Sequence, residues 1–224
     1  PGVGNSLYLR PFVIATSEGV QANPATEYRF MIITSPVQSY YTTKEVKVKI
    51  ADHYSRAANG GFGFAKAAGN YAGQFYPTAL AKEEGFQQII WTDDATHELL
   101  EECGTMNVVF RIGDTLISPP PTERILDGVT RKSVLAVAEK LGIDFQSRPI
   151  TVTELIEAAE NGTLQEIFGC GTAAVISPVT AFNYKGKDYQ LPTIEKSYAS
   201  QIKEILINIQ YNKAEDPFGW RVKI

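Results

Sequence analysis

The chain has 224 residues, 44% of them hydrophobic and 21% charged, enough for one large domain or one domain plus a piece of another. A net charge of −4 argues against general attraction to nucleic acid or an anionic membrane, and no apolar run approaches the roughly 18–20 residues that cross a bilayer. Only two cysteines occur, Cys103 and Cys170, far apart and outside any paired spacing, which argues against a disulfide scaffold or a zinc site and favours a reducing compartment.

The opening PGVGNSLYLR has no basic segment followed by an apolar one, so no signal peptide is expected. It starts without Met and runs almost directly into strand-like sequence, as a fragment or a processed product does. SLYLRPFVIAT (6–16) and YRFMIITSPV (28–37) are β-rich with Pro and Gly between them, and predict paired strands. QSYYTTKEV (38–46) suits a loop or linker, and KVKIAD a short strand. Between Asp52 and Glu83 there is no acid at all, while Arg56, Lys66 and Lys82 supply positive charge. YAGQFYPTALAKEEG (71–85) reads as helix in its second half, stopping at Gly85, with Pro77 disfavouring its first turns.

QQIIWTD and ELLEECGTMNVVFRIGDTLISPPP alternate strand and turn. VTRKSVLAVAEKLG (129–142) predicts an amphipathic helix with Val134, Ala138 and Leu141 on one face and Gly142 as its stop. TVTELIEAAENG (151–162) predicts a second, with Thr151 and Glu154 spaced as a capping box. LQEIFGCGTAAVISPVTAF reads as strand, tight glycine turn and strand, followed by a hairpin through YKGKDY (184–189). A last helix, about 195–211, buries Ile202, Ile205, Leu206 and Ile209. Strands and helices mix without a regular βαβ period, so the fold class is α+β, or irregular α/β.

The acid-free stretch centres on GGFGFAKAAGNYAG (60–73). Ala65 and Ala67 flank Lys66 where a phosphate-cradling P-loop needs Gly and Ser or Thr, and Lys66 itself stands where a dinucleotide fingerprint needs its third glycine. Spacing alone leaves Lys66 either an exposed loop lysine or a desolvated amine suited to Schiff-base chemistry, the missing acids making room for an anionic cofactor. DGVTRKS (127–133) places Gly128, Val129 and Thr130 at a helix start, and GCGTAA (169–174) places Thr172 in a tight turn. Each is either a plain cap or turn, or an anion site. In LLEECGTMNVVF (99–110), strand alternation points one of Glu101 and Glu102 inward, either as half of a solvated pair or facing a protonated ring nitrogen. A lysine, an inward glutamate and two phosphate-like turns are the requirements of pyridoxal phosphate chemistry, although none is specific alone.

LYLRP (7–11), KAAGNYAG (66–73), EECGTMNVVF (101–110), ILDGVTRKS (125–133), EIFGCGTAAVISPV (166–179) and LPTIE (191–195) occur in the order and wording of one family. Over nearly its whole length the chain resembles the branched-chain amino acid aminotransferases, pyridoxal phosphate enzymes of fold type IV. The resemblance implies reversible transfer of the amino group of L-leucine, L-isoleucine or L-valine to 2-oxoglutarate through a Schiff base on Lys66. It implies Tyr71 at the cofactor's 3′ oxygen, Glu102 at the pyridinium nitrogen, Leu126 on the ring, and Val129, Thr130 and Thr172 at the phosphate. Tyr8, Arg10, Tyr40 (in preference to Tyr41), Thr105 and Ala173 match substrate-pocket positions.

The same resemblance makes 1–37 the last strands of a small domain, 38–46 an interdomain loop and 47–224 the large domain of a cytoplasmic homodimer or larger homo-oligomer. It implies no metal, nucleic-acid or membrane partner. The family's small domain continues upstream of SLYLRP and carries an arginine that grips the phosphate, so a large-domain fragment without turnover is a second reading. A D-amino acid aminotransferase and an aminodeoxychorismate lyase are neighbouring activities, against which the ExGTMN block argues. Ala174 and Ser177 occupy the places of a redox CxxC found in mammalian members, so no such switch is expected, and Cys170 replaces a more usual small polar residue.

Overall fold

A computed structural model describes residues 6–37, 46–173 and 175–223. The chain divides into two compact units between Thr42 and Thr43. The first contains β1 (Ser6–Ala15) and β2 (Tyr28–Val37), antiparallel with Ser6 opposite Val37 and Ala15 opposite Tyr28. Ser17 Oγ closes the ribbon's end by accepting from the Thr26 and Glu27 amides at 2.8 and 2.9 Å. Leu7, Leu9, Phe30 and Ile32 are each more than half exposed, so the ribbon is held by its ladder rather than by a core. The proposed linker 38–46 lies outside the described residues except for Val46.

The second unit begins with β3 (Lys47–Ile50), α1 (Ala68–Glu83), β4 (Gln88–Thr92), β5 (Leu100–Cys103), β6 (Asn107–Ile112) and β7 (Thr115–Ser118). It continues through α2 (Val129–Lys140), β8 (Phe145–Ser147), α3 (Val152–Glu160), β9 (Leu164–Gly171) and β10 (Val175–Val179). β11 (Ala181–Tyr184), β12 (Lys187–Gln190) and α4 (Tyr198–Gln210) complete it. Two five-stranded sheets form, in the orders β12-β11-β3-β4-β5 and β10-β9-β6-β7-β8. Both are mixed, with parallel neighbours β11–β3, β3–β4 and β7–β8. The chain passes between the sheets twice, between β10 and β11 and in the turn between β5 and β6, the latter closed by the Cys103 amide donating to Met106 O at 2.9 Å. The EECGTMN block therefore lies at one of two junctions of the sheets.

One core lies where α2 and α4 cover the second sheet: Val134, Val137, Ile202 and Leu206 pack with Val109, Phe168 and Ile176. A smaller one puts Ala81 of α1 against Ile89 and Trp91 of β4. Glu166 on β9 ties α4 to the sheet: it accepts from the amides of Tyr198 and Ala199 at 2.8 and 3.0 Å and pairs with Arg111 at 2.9 Å.

Three sequence expectations change. α1 is helical from Ala68, through Pro77, rather than only in its second half. Asn70, Gln74, Pro77 and Ala81 form its buried stripe, so packing of that face overrides the hydrogen bond that Pro77 cannot make. The helix still ends at Gly85, φ +94°, with the Gly85 and Phe86 amides donating to Lys82 O and Ala81 O. In α2, Val137 takes the core place expected of Leu141, which lies past the last helical residue and is 40% exposed. In α4 Ile205 is only partly buried, the stripe running through Ala199, Ile202, Leu206 and Ile209.

α3 keeps half of its capping box: Thr151 Oγ accepts from the Glu154 amide at 2.9 Å, while the Glu154 carboxylate turns to Arg148 at 2.6 Å. The β11–β12 hairpin turns on Lys185 and Gly186, φ +48° and +81°, a two-residue turn with both central residues left-handed. No helix among the described residues is long and apolar enough to cross a membrane.

Candidate active site

Asn70, in the first turn of α1, reaches back from Nδ2 to Phe62 O at 2.9 Å and Ala65 O at 2.8 Å. Those two bonds fix the loop that ends at Lys66. Lys66 Nζ then donates to the Tyr71 hydroxyl at 2.8 Å and lies 5.4 Å from the ring centroid. The lysine is exposed, not desolvated between small residues as one sequence reading had it, because the face of the loop that carries it is open among the described residues.

Alternation on β5 predicts one inward and one outward glutamate. Instead both are buried, Glu101 at 1% and Glu102 at 6% exposure. Each has its own arginine: Arg124 Nε donates to Glu101, and Arg56 Nη2 lies 2.9 Å from Glu102 Oε1. An arginine on either side lets a strand bury carboxylates on both faces. Burial pushes the Glu102 carboxyl up to about 8; Arg56, a backbone hydrogen bond from Leu126 and the charge of Lys66 oppose that rise, while Glu101 adds to it. Burial likewise raises Glu101, against the pull of Arg124.

Asn107, first residue of β6, spans from this carboxylate to the next element. Its Nδ2 donates to Glu102 Oε2 at 3.0 Å and to Leu126 O at 2.9 Å. Its Oδ1 fills the space that a side chain on Gly128 would need. Two further motif glycines have the same cause: Gly104 makes room for the Gln74 carboxamide, and Gly169 for the Met106 side chain.

Gly128 is the N-cap of α2, in extended conformation, with no side-chain cap and no acid in the first turn. Val129 is 75% exposed and Thr130 half-buried, so the first-turn amides are open to an anion. Arg131, buried behind them, donates to the Ser118 and Ser147 hydroxyls at 2.9 and 2.6 Å and has no carboxylate bonded to it among the described residues. Burial lowers its pKa, and the charge of Asp127 works against that. Thr172 and Ala173 are exposed in the turn after β9, and the exposed Thr105 lies beside it, its carbonyl 3.5 Å from where a Gly171 Cβ would stand. Burial pushes the Cys170 thiol up to about 12 and raises Cys103 as well, which makes both poor nucleophiles at neutral pH.

The structure thus joins Lys66 to Tyr71, and Glu102 to Leu126 and Gly128 through Asn107. It brings Thr105 beside the Thr172 turn. Tyr8 and Arg10 lie on β1 of the first unit, the Arg10 guanidinium 5.2 Å from the Tyr8 ring centroid. Tyr40, Tyr41 and Ala174 fall outside the described residues. Sequence reasoning passed over Asn70 and Asn107, which stand inside the quoted blocks, and Arg56, noted there only as a charge. No local signal ties Arg56 to Glu102, since an arginine in an acid-free stretch is equally well served by water.

Residues 2–182 match the family described as Amino-transferase class IV, and the chain belongs to that family, whose members depend on pyridoxal phosphate. It is 39% identical over 227 residues to a probable branched-chain-amino-acid aminotransferase of Staphylococcus epidermidis, covering 100% of this chain and 63% of that protein. It is 40% identical to branched-chain-amino-acid transaminase 1 of Bacillus subtilis, covering 99% and 63%. The chain therefore spans under two thirds of the length of these relatives. Its fold matches the branched-chain amino acid aminotransferase of Escherichia coli with a TM-score of 0.78, at 24% identity over 96% of this chain and 69% of that one. A Thermobaculum terrenum enzyme of the same name, in its PLP form, gives 0.76 at 19% identity, over 93% and 65%.

Proposed function

We propose that this chain is the large domain, with part of the small one, of a branched-chain amino acid aminotransferase acting between L-leucine, L-isoleucine or L-valine and 2-oxoglutarate. The observation that carries the reading is the pairing of Lys66 Nζ with the Tyr71 hydroxyl at 2.8 Å beside a buried glutamate whose carboxyl feels the lysine's charge. The residues present fit pyridoxal phosphate. Glu102 is a buried carboxyl that a protonated ring nitrogen would compensate, and the α2 start offers amides that no side chain caps. When bound, the cofactor supplies an aldehyde for the substrate's amine and a ring that takes up the electron pair released at Cα.

Lys66 would hold the cofactor at Nζ and would carry the proton at that atom during the reaction. Tyr71 would keep Nζ oriented and serve the cofactor's 3′ oxygen. Glu102 would serve the ring nitrogen, Leu126 the ring, and Val129, Thr130 and Thr172 the phosphate. Tyr8, Arg10, Tyr40, Thr105 and Ala173 are the residues we assign to the substrate from their places in the family's motifs. An apolar pocket discriminates by only about 1–3 kcal/mol per methylene, so neighbouring side chains compete. Residues 1–37 close a small domain, 38–46 link it, and 47–224 form the large domain; the division between Thr42 and Thr43 supports this. The two buried free thiols agree with a cytoplasmic site of action, and a homodimer or larger homo-oligomer is the proposed assembly.

Formation of glutamate from leucine and 2-oxoglutarate by the chain with added pyridoxal phosphate, and its loss in Lys66→Ala, tests the activity. A second reading, a large domain that folds without turning over, is favoured by the exposure of Lys66. A protein that stays colourless with added pyridoxal phosphate supports that reading; a yellow one whose absorbance shifts with leucine supports the enzyme.

A further inference from the structure

Arg56 connects three elements of the site. Its Nη2 lies 2.9 Å from Glu102 Oε1, with both side chains under a tenth exposed. The same nitrogen reaches Gly63 O at 3.4 Å and also the Arg124 carbonyl. Gly63 is packed so closely that a Cβ there would stand 2.5 Å from Ala57 Cβ and 2.8 Å from Arg124 Cα. One guanidinium therefore sits within the turn that leads to Lys66 and touches both that turn and the acid of β5. We propose that Arg56 is a positioning residue: it orients the Glu102 carboxyl toward the cofactor's ring nitrogen, favours its ionised form against burial, and ties it to the loop carrying Lys66. The inference rests on the function proposed above.

Two side chains divide the oxygens of Glu102, Oε1 to Arg56 and Oε2 to Asn107, and the Leu126 backbone adds a third hydrogen bond. Together they fix the plane of the carboxyl group. A carboxyl this deeply buried favours its neutral form, which donates a proton rather than accepting one and gives a pyridinium no counter-charge. Arg56 opposes that tendency. The other charged or titratable groups that bear on Glu102 are Glu101, which raises its proton affinity, Lys66, which lowers it, and the buried Cys103 and Cys170, with Arg124 engaged by Glu101. Arg56 is thus the nearest cation to Glu102 among the described residues. It also lowers the carboxylate's basicity, so that a proton shared with a ring nitrogen rests on the ring. Arg56 Nε is buried without a partner, a cost consistent with the side chain being oriented for Glu102 rather than for its own surroundings.

The test needs no cofactor at first. With the chain labelled at the glutamate side-chain carboxyl carbon, NMR follows Glu102 through a pH titration, Glu102→Gln assigning its signal. Arg56→Met raises the titration midpoint by about 1–3 pH units, the effect of losing a cation within 4–6 Å, and Arg56→Lys restores most of it. A midpoint unchanged in Arg56→Met overturns the proposal. If that variant does not fold, Arg56→Lys and Arg56→Gln are compared, and equal midpoints in the two overturn it. Pyridoxal phosphate and borohydride are then added to the parent chain. A pyridoxyl adduct on Lys66 with a Glu102 indifferent to Arg56 overturns the positioning role alone. A Glu102 that follows Arg56, with no adduct on Lys66, overturns the proposed function and leaves the pairing.

Discussion

Asn107 and Gly128 form one interlocked contact: the asparagine's Oδ1 occupies the place where a side chain on Gly128 would begin. Through that contact the acid proposed for the ring nitrogen and the helix start proposed for the phosphate are held at a fixed separation. Gly128→Ala must displace a carboxamide that donates to Glu102 and to Leu126 O. Loss of those bonds is worth about 1–3 kcal/mol, so affinity for pyridoxal phosphate is expected to fall about tenfold to a hundredfold while α2 stays folded. Cofactor titration by absorbance, beside far-ultraviolet circular dichroism, checks both halves.

Glu102 makes the ligand-free chain sensitive to alkali. Its carboxyl is raised from 4.5 to about 8 by burial, against the charge of Arg56, so the folded chain keeps a proton that the unfolded chain releases. The stabilisation is complete below the unfolded value and is lost as pH rises through about 8. Urea unfolding between pH 5 and 9 is expected to show that decline in the parent chain and a markedly flatter profile in Glu102→Gln.

Tyr71→Phe removes the hydroxyl that accepts from Lys66 Nζ and leaves the ring in place. Stability is expected to stay within about 0.5 kcal/mol of the parent, because the lost bond is at an open surface. Turnover is expected to fall about tenfold. Parallel melting and rate measurements separate the two effects.

Asp93 organises the turn into β5. Burial raises its pKa, but bonds from the Leu99, Thr96 and Glu98 amides and the Thr96 hydroxyl outweigh that and hold it at about 2. Its contribution is present above the unfolded value of 3.8 and is lost as pH falls through about 2. Asp93→Asn weakens charge-assisted bonds and is expected to cost about 1–2 kcal/mol at neutral pH, read by denaturant midpoint.

L-Leucine is expected to react much faster than D-alanine. The reverse preference would move the assignment to a D-amino acid aminotransferase.

Local signals located most of the strands, though not β8, and most of the helices. Gly85, Gly142 and the Thr151 cap were legible because each performs a local backbone task. Pro77 misled because a buried stripe, settled only by packing against β4, outweighed its missing donor. The lysine and Glu102 were legible as chemistry. Their arginine and asparagine partners were not, since Arg56 and Glu102 stand 46 positions apart and meet only when the turn before α1 folds back on β5. Alternation failed at Glu101 for the same reason: no local pattern shows that Arg124 waits on the other face.

The central claim, that Lys66 is the residue that holds pyridoxal phosphate, is tested most directly by borohydride reduction of the chain with the cofactor, followed by peptide mass mapping. The account predicts a single pyridoxyl adduct on the peptide containing Lys66, absent in Lys66→Ala. An adduct placed on another lysine, or retained in Lys66→Ala, would contradict it.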